Sequence, residues 1–123
     1  MLKNFLLVGL GGGIGSMLRY AISLLFTSRY FPYSTLAVNI CGSFVIGMVL
    51  GMSLKSEYFL GNWKLFLATG ICGGFTTFSS FSAENMELLQ TGKTVLAFTY
   101  IAASVVLGII AAWLGYKLLT LNS

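Results

Sequence analysis

Apolar residues fill four long stretches of this chain, and short polar connectors separate them. Each stretch is close to or above the length of about 20 residues that a helix needs to cross the hydrocarbon core of a bilayer. The pattern therefore predicts an all-α membrane protein with four transmembrane helices, formed as a single domain over residues 1–123. The predicted spans are residues 2–26, 34–53, 63–89 and 94–119.

The third stretch differs from the others because helix-breaking and hydroxyl residues occupy its middle. Residues 70–82 read Gly-Ile-Cys-Gly-Gly-Phe-Thr-Thr-Phe-Ser-Ser-Phe-Ser. Irregular backbone at membrane depth is tolerated only where protein buries it or where it lines a polar cavity. We therefore predict a helix broken at its centre, with one half ending near Gly73 and the next beginning near Thr77. Unpaired carbonyls at the first end favour a cation, and unpaired N–H groups at the second favour an anion.

Two further stretches carry polar and small residues at a spacing of four, which places them on one helix face. Asn39 is the strongest member, because a buried amide requires partners. Its amide either joins neighbouring helices or turns its N–H groups toward a hydrated pore. The rows are Thr35, Asn39, Ser43, Gly47 and Gly51 in the second stretch, and Tyr100, Ser104, Gly108 and Ala112 in the fourth.

Aromatic and acidic residues follow the predicted break. Phe78 and Phe81, three residues apart, place two rings on one helix face. They either pack in the core or present their partly positive ring edges to a small anion. Glu84 lies deeper in the span than Glu87, and could partner the nearby serines, accept a proton or end the apolar span.

Composition supports a membrane protein and argues against an enzyme. The chain is 57% hydrophobic and only 8% charged, whereas soluble domains carry about 25% charged residues. Histidine is absent, which removes the usual general base, so we predict no catalysis. The net charge of +4 forms no clustered basic face, which excludes nucleic-acid binding. Cys41 and Cys72 fall in apolar stretches and are expected to be small hydrophobic residues.

The positive charges are nearly balanced between the two sides of the membrane. Four spans place both termini on one side, and short-loop cations normally set orientation. We therefore predict that insertion in both orientations, and an antiparallel dual-topology homodimer, are open to this chain. Arg19 either snorkels outward to the interface or sets a positive charge at the mouth of an anion path. One side carries Lys3, Lys55, Lys64 and Lys117, and the other carries Arg29 and Lys93, with Arg19 if it snorkels.

Three motifs in order resemble the small bacterial fluoride channels of the Fluc (CrcB) family. They are Gly-Gly-Ile-Gly-Ser-Met-Leu-Arg-Tyr at 12–20, Thr-Leu-Ala-Val-Asn-Ile-Cys-Gly-Ser-Phe at 35–44, and Gly-Gly-Phe-Thr-Thr-Phe-Ser-Ser-Phe-Ser-x-Glu at 73–84. The resemblance covers essentially the whole chain. It implies a passive, fluoride-selective channel that excludes chloride and exports toxic fluoride. It also implies a multi-pass antiparallel homodimer with two pores in the bacterial cytoplasmic (inner) membrane.

The resemblance also implies particular sites. A structural sodium ion would be held at the dimer centre by the backbone carbonyls of Gly73 and Thr76. Arg19 would lie in the vestibule and Glu84 beside the polar track. Gly108 lacks the hydroxyl expected at the far end of that track. The fluoride pathway would comprise Phe78, Phe81, Asn39, Tyr100, Ser104, Thr77 and Ser79.

Two other classes of protein fit parts of the pattern. A small multidrug-resistance-type exporter also has four short helices, but it depends on an acidic residue in the first helix, and the first stretch here has none. A non-transporting membrane scaffold would explain the Gly-xxx-Gly spacings Gly9/Gly13 and Gly11/Gly15. It would not explain Asn39 or the hydroxyls between Thr76 and Ser82.

Overall fold

A computed structural model describes residues 1–27, 30–56 and 61–121, so Arg29 lies outside the described residues. Within them, four helical segments are long and apolar enough to cross a membrane. This confirms the predicted all-helical membrane fold. The helices are α1 (Leu2–Leu25), α2 (Tyr33–Lys55), α3 (62–75), α4 (Phe78–Gln90) and α5 (Thr94–Thr120), with α3 and α4 together forming the third span, Asn62–Gln90.

The third span is interrupted as predicted, but the interruption lies slightly later than expected. In α3, a π-helical stretch, Leu65–Cys72, leads into one further helical turn, Gly73–Phe75. Thr76 (φ −82°, ψ 157°) and Thr77 (φ −149°, ψ 121°) are both extended. The first half-helix therefore continues past Gly73 to Phe75, and two extended residues separate it from α4.

A tight turn joins α4 to α5. Gly92 has a φ of +80°, a left-handed conformation that glycine adopts without steric cost. The Gly92 N–H donates to the Leu89 carbonyl at 3.2 Å, and the Lys93 N–H to the Leu88 carbonyl at 2.8 Å. This pair of bonds is a Schellman motif. It ends α4 and folds α5 back alongside it.

Glycines bring α1 and α3 into backbone contact. A Cβ atom at Gly11 would stand 2.6 Å from the Phe66 carbonyl oxygen and 2.9 Å from the Gly70 Cα atom. Gly15 meets the backbone of α3 as closely. In contrast, a Cβ atom at Gly9 or Gly13 would meet nothing within 4 Å. Of the two Gly-xxx-Gly spacings, Gly11/Gly15 therefore packs against α3 among the described residues, whereas Gly9/Gly13 does not.

The α2 and α5 helices pack together along the small residues of their two rows. Gly47 lies against the backbone of Ala112, and a Cβ atom at Gly51 would stand 3.0 Å from the Tyr116 carbonyl oxygen. Nearer the break, a small core forms around Tyr100 and Ala97, both fully buried. This core lies at the end of the bundle where the rows of α2 and α5 carry their polar residues, Asn39 and Tyr100 among them.

Candidate functional site

Asn39 on α2 makes both polar contacts of its amide with one residue of the break. Its Oδ1 accepts the Thr77 N–H at 2.8 Å, and its Nδ2 donates to the Thr77 carbonyl at 3.1 Å. An extended residue at this depth has no helical partners for these groups, and each unsatisfied group costs several kcal/mol in hydrocarbon. The Asn39 side chain thus supplies the partners that a continuous helix would have given Thr77.

Arg19 on α1 satisfies the other side of the break. Its Nε donates to the Gly74 carbonyl at 3.1 Å, and the Ser16 hydroxyl approaches the same oxygen at 3.5 Å. The Arg19 side chain is half-buried and lines a cavity described below. Its guanidinium is therefore directed at the break, so the outward-snorkelling interpretation does not describe its position.

Threonine hydroxyls cap both half-helices. The Thr76 hydroxyl donates to the Cys72 carbonyl at 2.8 Å, at the end of α3. The Thr77 Oγ1 accepts the Ser80 N–H at 3.1 Å and lies 3.3 Å from the Ser79 hydroxyl. Thr77 is thus the N-cap of α4, the position at which a hydroxyl satisfies one of the free N–H groups.

A cleft of about 460 Å³ opens beside the break. Helices α2, α3, α4 and α5 all contribute to its wall. Phe78 stands at its edge with 78% of its surface exposed. Ser104 also lines it, and the Ser104 Oγ is buried without a hydrogen-bond partner among the described residues. The predicted site residues in the wall are Asn39, Gly73, Thr76, Thr77, Phe78, Phe81 and Ser104.

The two predicted phenylalanines lie in a continuous row of aromatic rings. The Phe78 and Phe81 ring centroids are 5.7 Å apart, with the planes inclined at 36°. Phe81 meets Tyr100 at 5.1 Å and 61°, and Tyr100 meets Phe31 at 5.3 Å and 71°. Phe81 therefore packs against the buried core. Phe78 contacts the ring of Phe81 and is otherwise largely exposed at the cleft. Edge-to-face contacts of this kind are the favoured arrangement of aromatic rings.

Glu84 is bound by hydroxyls from two other helices. Thr35 donates to its Oε1 at 2.5 Å, and Tyr100 donates to its Oε2 at 2.8 Å. The nearby serines, one of the predicted sets of partners, do not hold it. Thr35 and Phe31 also contribute to this site, although neither is among the predicted site residues. The only signal for Thr35 was its place in the same row as Asn39.

A second cavity, of about 540 Å³, lies at the end of the bundle where α1 meets α2 and α4 meets α5. Cations and carboxylates both line it: Arg19 and Lys93, and Glu84 and Glu87. The Lys93 Nζ lies 5.6 Å from the centre of the Tyr30 ring. Thr77 lines both this cavity and the cleft.

The remaining predicted site residues lie close to these two cavities. Tyr100 is fully buried and lines neither cavity; its ring contacts Phe81 and its hydroxyl donates to Glu84. Ser79 is exposed beside Thr77. At Gly108, a Cβ atom would lie 3.6 Å from the Ser43 hydroxyl oxygen. The side-chain hydroxyl missing from α5 at this level is therefore faced by one from α2.

The fold and the cleft define a multi-pass helical membrane protein whose third span is broken beside a cleft that hydroxyl groups, an amide and aromatic rings line. Comparison with known proteins places it more narrowly. The family model described as "CrcB-like protein, Camphor Resistance (CrcB)" matches residues 6–116. The chain belongs to this family.

Curated relatives match over nearly the full chain and carry one name. A protein of Azobacteroides pseudotrichonymphae is 48% identical over 121 residues, which cover 96% of this chain and 97% of its own length. A protein of Thermus thermophilus is 48% identical over 120 residues, covering 95% of each chain. One of Flavobacterium psychrophilum is 44% identical over 117 residues, covering 93% and 94%. Each is named "Fluoride-specific ion channel FluC", a channel and not an enzyme.

Proposed function

We propose that this protein is a fluoride-selective channel that exports toxic fluoride passively across a bacterial cytoplasmic membrane. The observation that carries the proposal is the break in the third span, which lies beside a cleft lined by phenylalanine rings and hydroxyl groups. The relatives that match this chain over nearly their full length are named fluoride-specific channels. An exporter of the multidrug type would depend on an acidic residue in the first helix, and α1 carries no Asp or Glu.

The cleft offers a small anion the contacts it requires. Fluoride accepts strong hydrogen bonds, and the Ser104 hydroxyl is buried there without a protein partner among the described residues. Ring edges carry partial positive charge, and the two phenylalanines line the same cleft as this hydroxyl and Thr77. The second cavity, lined by Arg19, is assigned as the vestibule, and Glu84 as the neighbour of the polar track. We assign the pathway to Phe78, Phe81, Asn39, Tyr100, Ser104, Thr77 and Ser79.

Backbone carbonyls at the break fit a structural sodium ion. In a continuous helix the Thr77 N–H would bond the Gly73 carbonyl, but here it bonds Asn39. The extended backbone at Thr76 turns the carbonyl of that residue out of the helical ladder. Both residues line the cleft. Oxygen atoms suit a hard cation, and we propose that Gly73 and Thr76 of two subunits supply them.

We propose that the functional unit is an antiparallel homodimer with two pores. Two observations support this. The cleft is open on one side, with Phe78 at its edge largely exposed, and a carbonyl site with two oxygens per subunit needs a second copy to enclose an ion. The near balance of positive charge across the membrane supports insertion in both orientations.

Fluoride efflux from liposomes tests the function. Purified protein is reconstituted into vesicles loaded with potassium fluoride, and efflux is recorded with a fluoride electrode after valinomycin is added. We expect rapid fluoride release and no chloride release from matched chloride-loaded vesicles. Absence of fluoride release from vesicles that contain correctly folded protein, or equal chloride release, contradicts the proposal. Cross-linking of single-cysteine variants in cells would separately test the antiparallel dimer.

A further inference from the structure

We infer that Asn39 is a positioning residue, which acts on the ion pathway by holding the Thr77 backbone. The inference starts from the contacts of the Asn39 amide. Its Oδ1 accepts the Thr77 N–H at 2.8 Å, and one N–H of its Nδ2 donates to the Thr77 carbonyl at 3.1 Å; the second N–H of Nδ2 is not used by this pair. An amide that donates to a carbonyl with Nδ2 and accepts with Oδ1 reproduces the paired bonds between two extended strands.

Thr77 needs this partner because of its conformation. Its backbone is extended (φ −149°, ψ 121°) between two helical segments. Its side chain is already used, since Oγ1 caps α4 at the Ser80 N–H. In a continuous helix the Thr77 N–H would bond the Gly73 carbonyl, but the extended backbone at Thr76 takes it out of that register. Asn39 therefore supplies the acceptor that the Thr77 N–H would otherwise lack in the broken span.

The consequence reaches both proposed ion sites at once. Holding the Thr77 N–H away from Gly73 leaves that carbonyl for the cation. Holding the Thr77 carbonyl fixes the start of α4, and with it the position of Phe78. The Asn39 side chain on α2 thus sets the position of the proposed cation site at Gly73 relative to the proposed anion site at Phe78. The loss of fluoride flux expected below rests on the proposed function, whereas the backbone role of Asn39 stands without it.

Hydrogen–deuterium exchange read by mass spectrometry on the full-length protein in lipid nanodiscs tests the backbone role directly. The variant Asn39→Leu keeps the side-chain shape and removes both bonds. We expect amide exchange in the segment 76–80 to rise by about two- to tenfold, the range that corresponds to the loss of one net hydrogen bond. Exchange in α1 and α5 should stay at the wild-type rate. Asn39→Asp keeps the acceptor for the Thr77 N–H, so this segment should remain closer to wild type than in Asn39→Leu.

A matched control lies on the same helix. Ser53 is also polar and buried, but its hydroxyl bonds the Leu50 carbonyl of its own helix at 2.8 Å. It lies 14 residues along α2, about 21 Å away at 1.5 Å per residue. Ser53→Ala should leave exchange at 76–80 unchanged.

The outcomes separate the alternatives. Faster exchange confined to the break together with a fluoride flux reduced at least tenfold supports the positioning role. Wild-type exchange with abolished flux would overturn it in favour of direct ion contact. Faster exchange throughout the protein would overturn it in favour of general destabilisation. If Asn39→Leu does not fold, Asn39→Ala, which also removes both bonds, repeats the comparison. If wild-type protein passes no fluoride, the proposed function fails and the exchange comparison still decides the role of Asn39.

Discussion

The Arg19 Nε donates a hydrogen bond of 3.1 Å to the carbonyl oxygen of Gly74, which joins a cation on α1 to the last turn of α3. The contact uses the inner nitrogen of the guanidinium, so the side chain's reach and shape matter as well as its charge. Charge-assisted bonds of this kind contribute about 1.5–3 kcal/mol.

The Arg19–Gly74 contact predicts that charge alone does not restore function at this position. Arg19→Lys keeps the charge but loses the Nε donor, so we expect its fluoride efflux to fall roughly tenfold or more, as the energy of the bond implies. Arg19→Met, which loses both, should be lower still. Efflux from liposomes at matched protein density measures both. If Arg19→Lys conducts at the wild-type rate, the role of Arg19 is electrostatic only.

Close backbone contact predicts that the two Gly-xxx-Gly spacings of α1 respond differently to alanine. Gly11→Ala would place a Cβ atom 2.6 Å from the Phe66 carbonyl oxygen, and overpacking of this kind costs about 1–3 kcal/mol or more. Gly9→Ala meets open space within the subunit and serves as its control. Thermal unfolding in detergent should show a lower midpoint for Gly11→Ala and an unchanged or higher one for Gly9→Ala. Equal midpoints would contradict the packing of α1 on α3.

The hydroxyl donors on Glu84 predict a coupled loss of stability. Thr35→Val and Tyr100→Phe each remove one donor and keep the side-chain shape. Each lost bond to the half-buried carboxylate should cost about 1 kcal/mol or more, since hydrogen bonds to charged groups contribute about 1.5–3 kcal/mol. Because both act on one carboxylate, their effects should not add in the double variant. Unfolding by denaturant measures the cycle. Thr99→Val, which removes a hydroxyl bonded to the Val95 carbonyl in its own helix, is the control, and strict additivity of the pair would refute a shared network.

The aromatic row predicts different effects for the two phenylalanines. Phe81 contacts Tyr100 at 5.1 Å, whereas Phe78 is 78% exposed. Phe81→Ile should therefore lower both stability and fluoride flux, and Phe78→Ile should lower flux with little change in the stability of the subunit. Efflux and thermal unfolding on the same preparations distinguish them. Wild-type flux in the double variant would exclude both rings from the pathway.

The open position at Gly108 predicts that a hydroxyl can be added to α5. A Cβ atom there would lie 3.6 Å from the Ser43 oxygen, which is an ordinary contact. Gly108→Ser should fold normally and conduct at least as fast as wild type, because it extends the row of Tyr100 and Ser104 by one turn. Gly108→Ala adds the same carbon without the hydroxyl. A slower Gly108→Ser than Gly108→Ala would show that no polar track passes this residue.

The helices could be predicted from sequence because lipid leaves an apolar chain few other ways to satisfy its backbone. Which residues contact each other between the helices could not be predicted from sequence. Gly9/Gly13 and Gly11/Gly15 have the same spacing, and only the rotation of α1 against α3 decides which pair is buried. Asn39 and Thr77 are separated by 38 residues, and the pattern showed only that a buried amide needs a partner. Glu84 had serines nearby in sequence, yet Thr35 and Tyr100 bind it. The extra residue per turn in Leu65–Cys72 also has no signature in the apolar pattern.

The tight turn at Gly92 has a consequence for how the chain enters the membrane. Glu84 would be a costly carboxylate in lipid if α4 were inserted alone. The Tyr100 hydroxyl that binds it lies only 16 residues later, on the far side of this turn. We therefore expect α4 and α5 to leave the insertion machinery as one hairpin, with the acid already shielded during biogenesis. A longer or stiffer linker at Gly92 would delay that pairing and expose nascent chains to quality-control proteases.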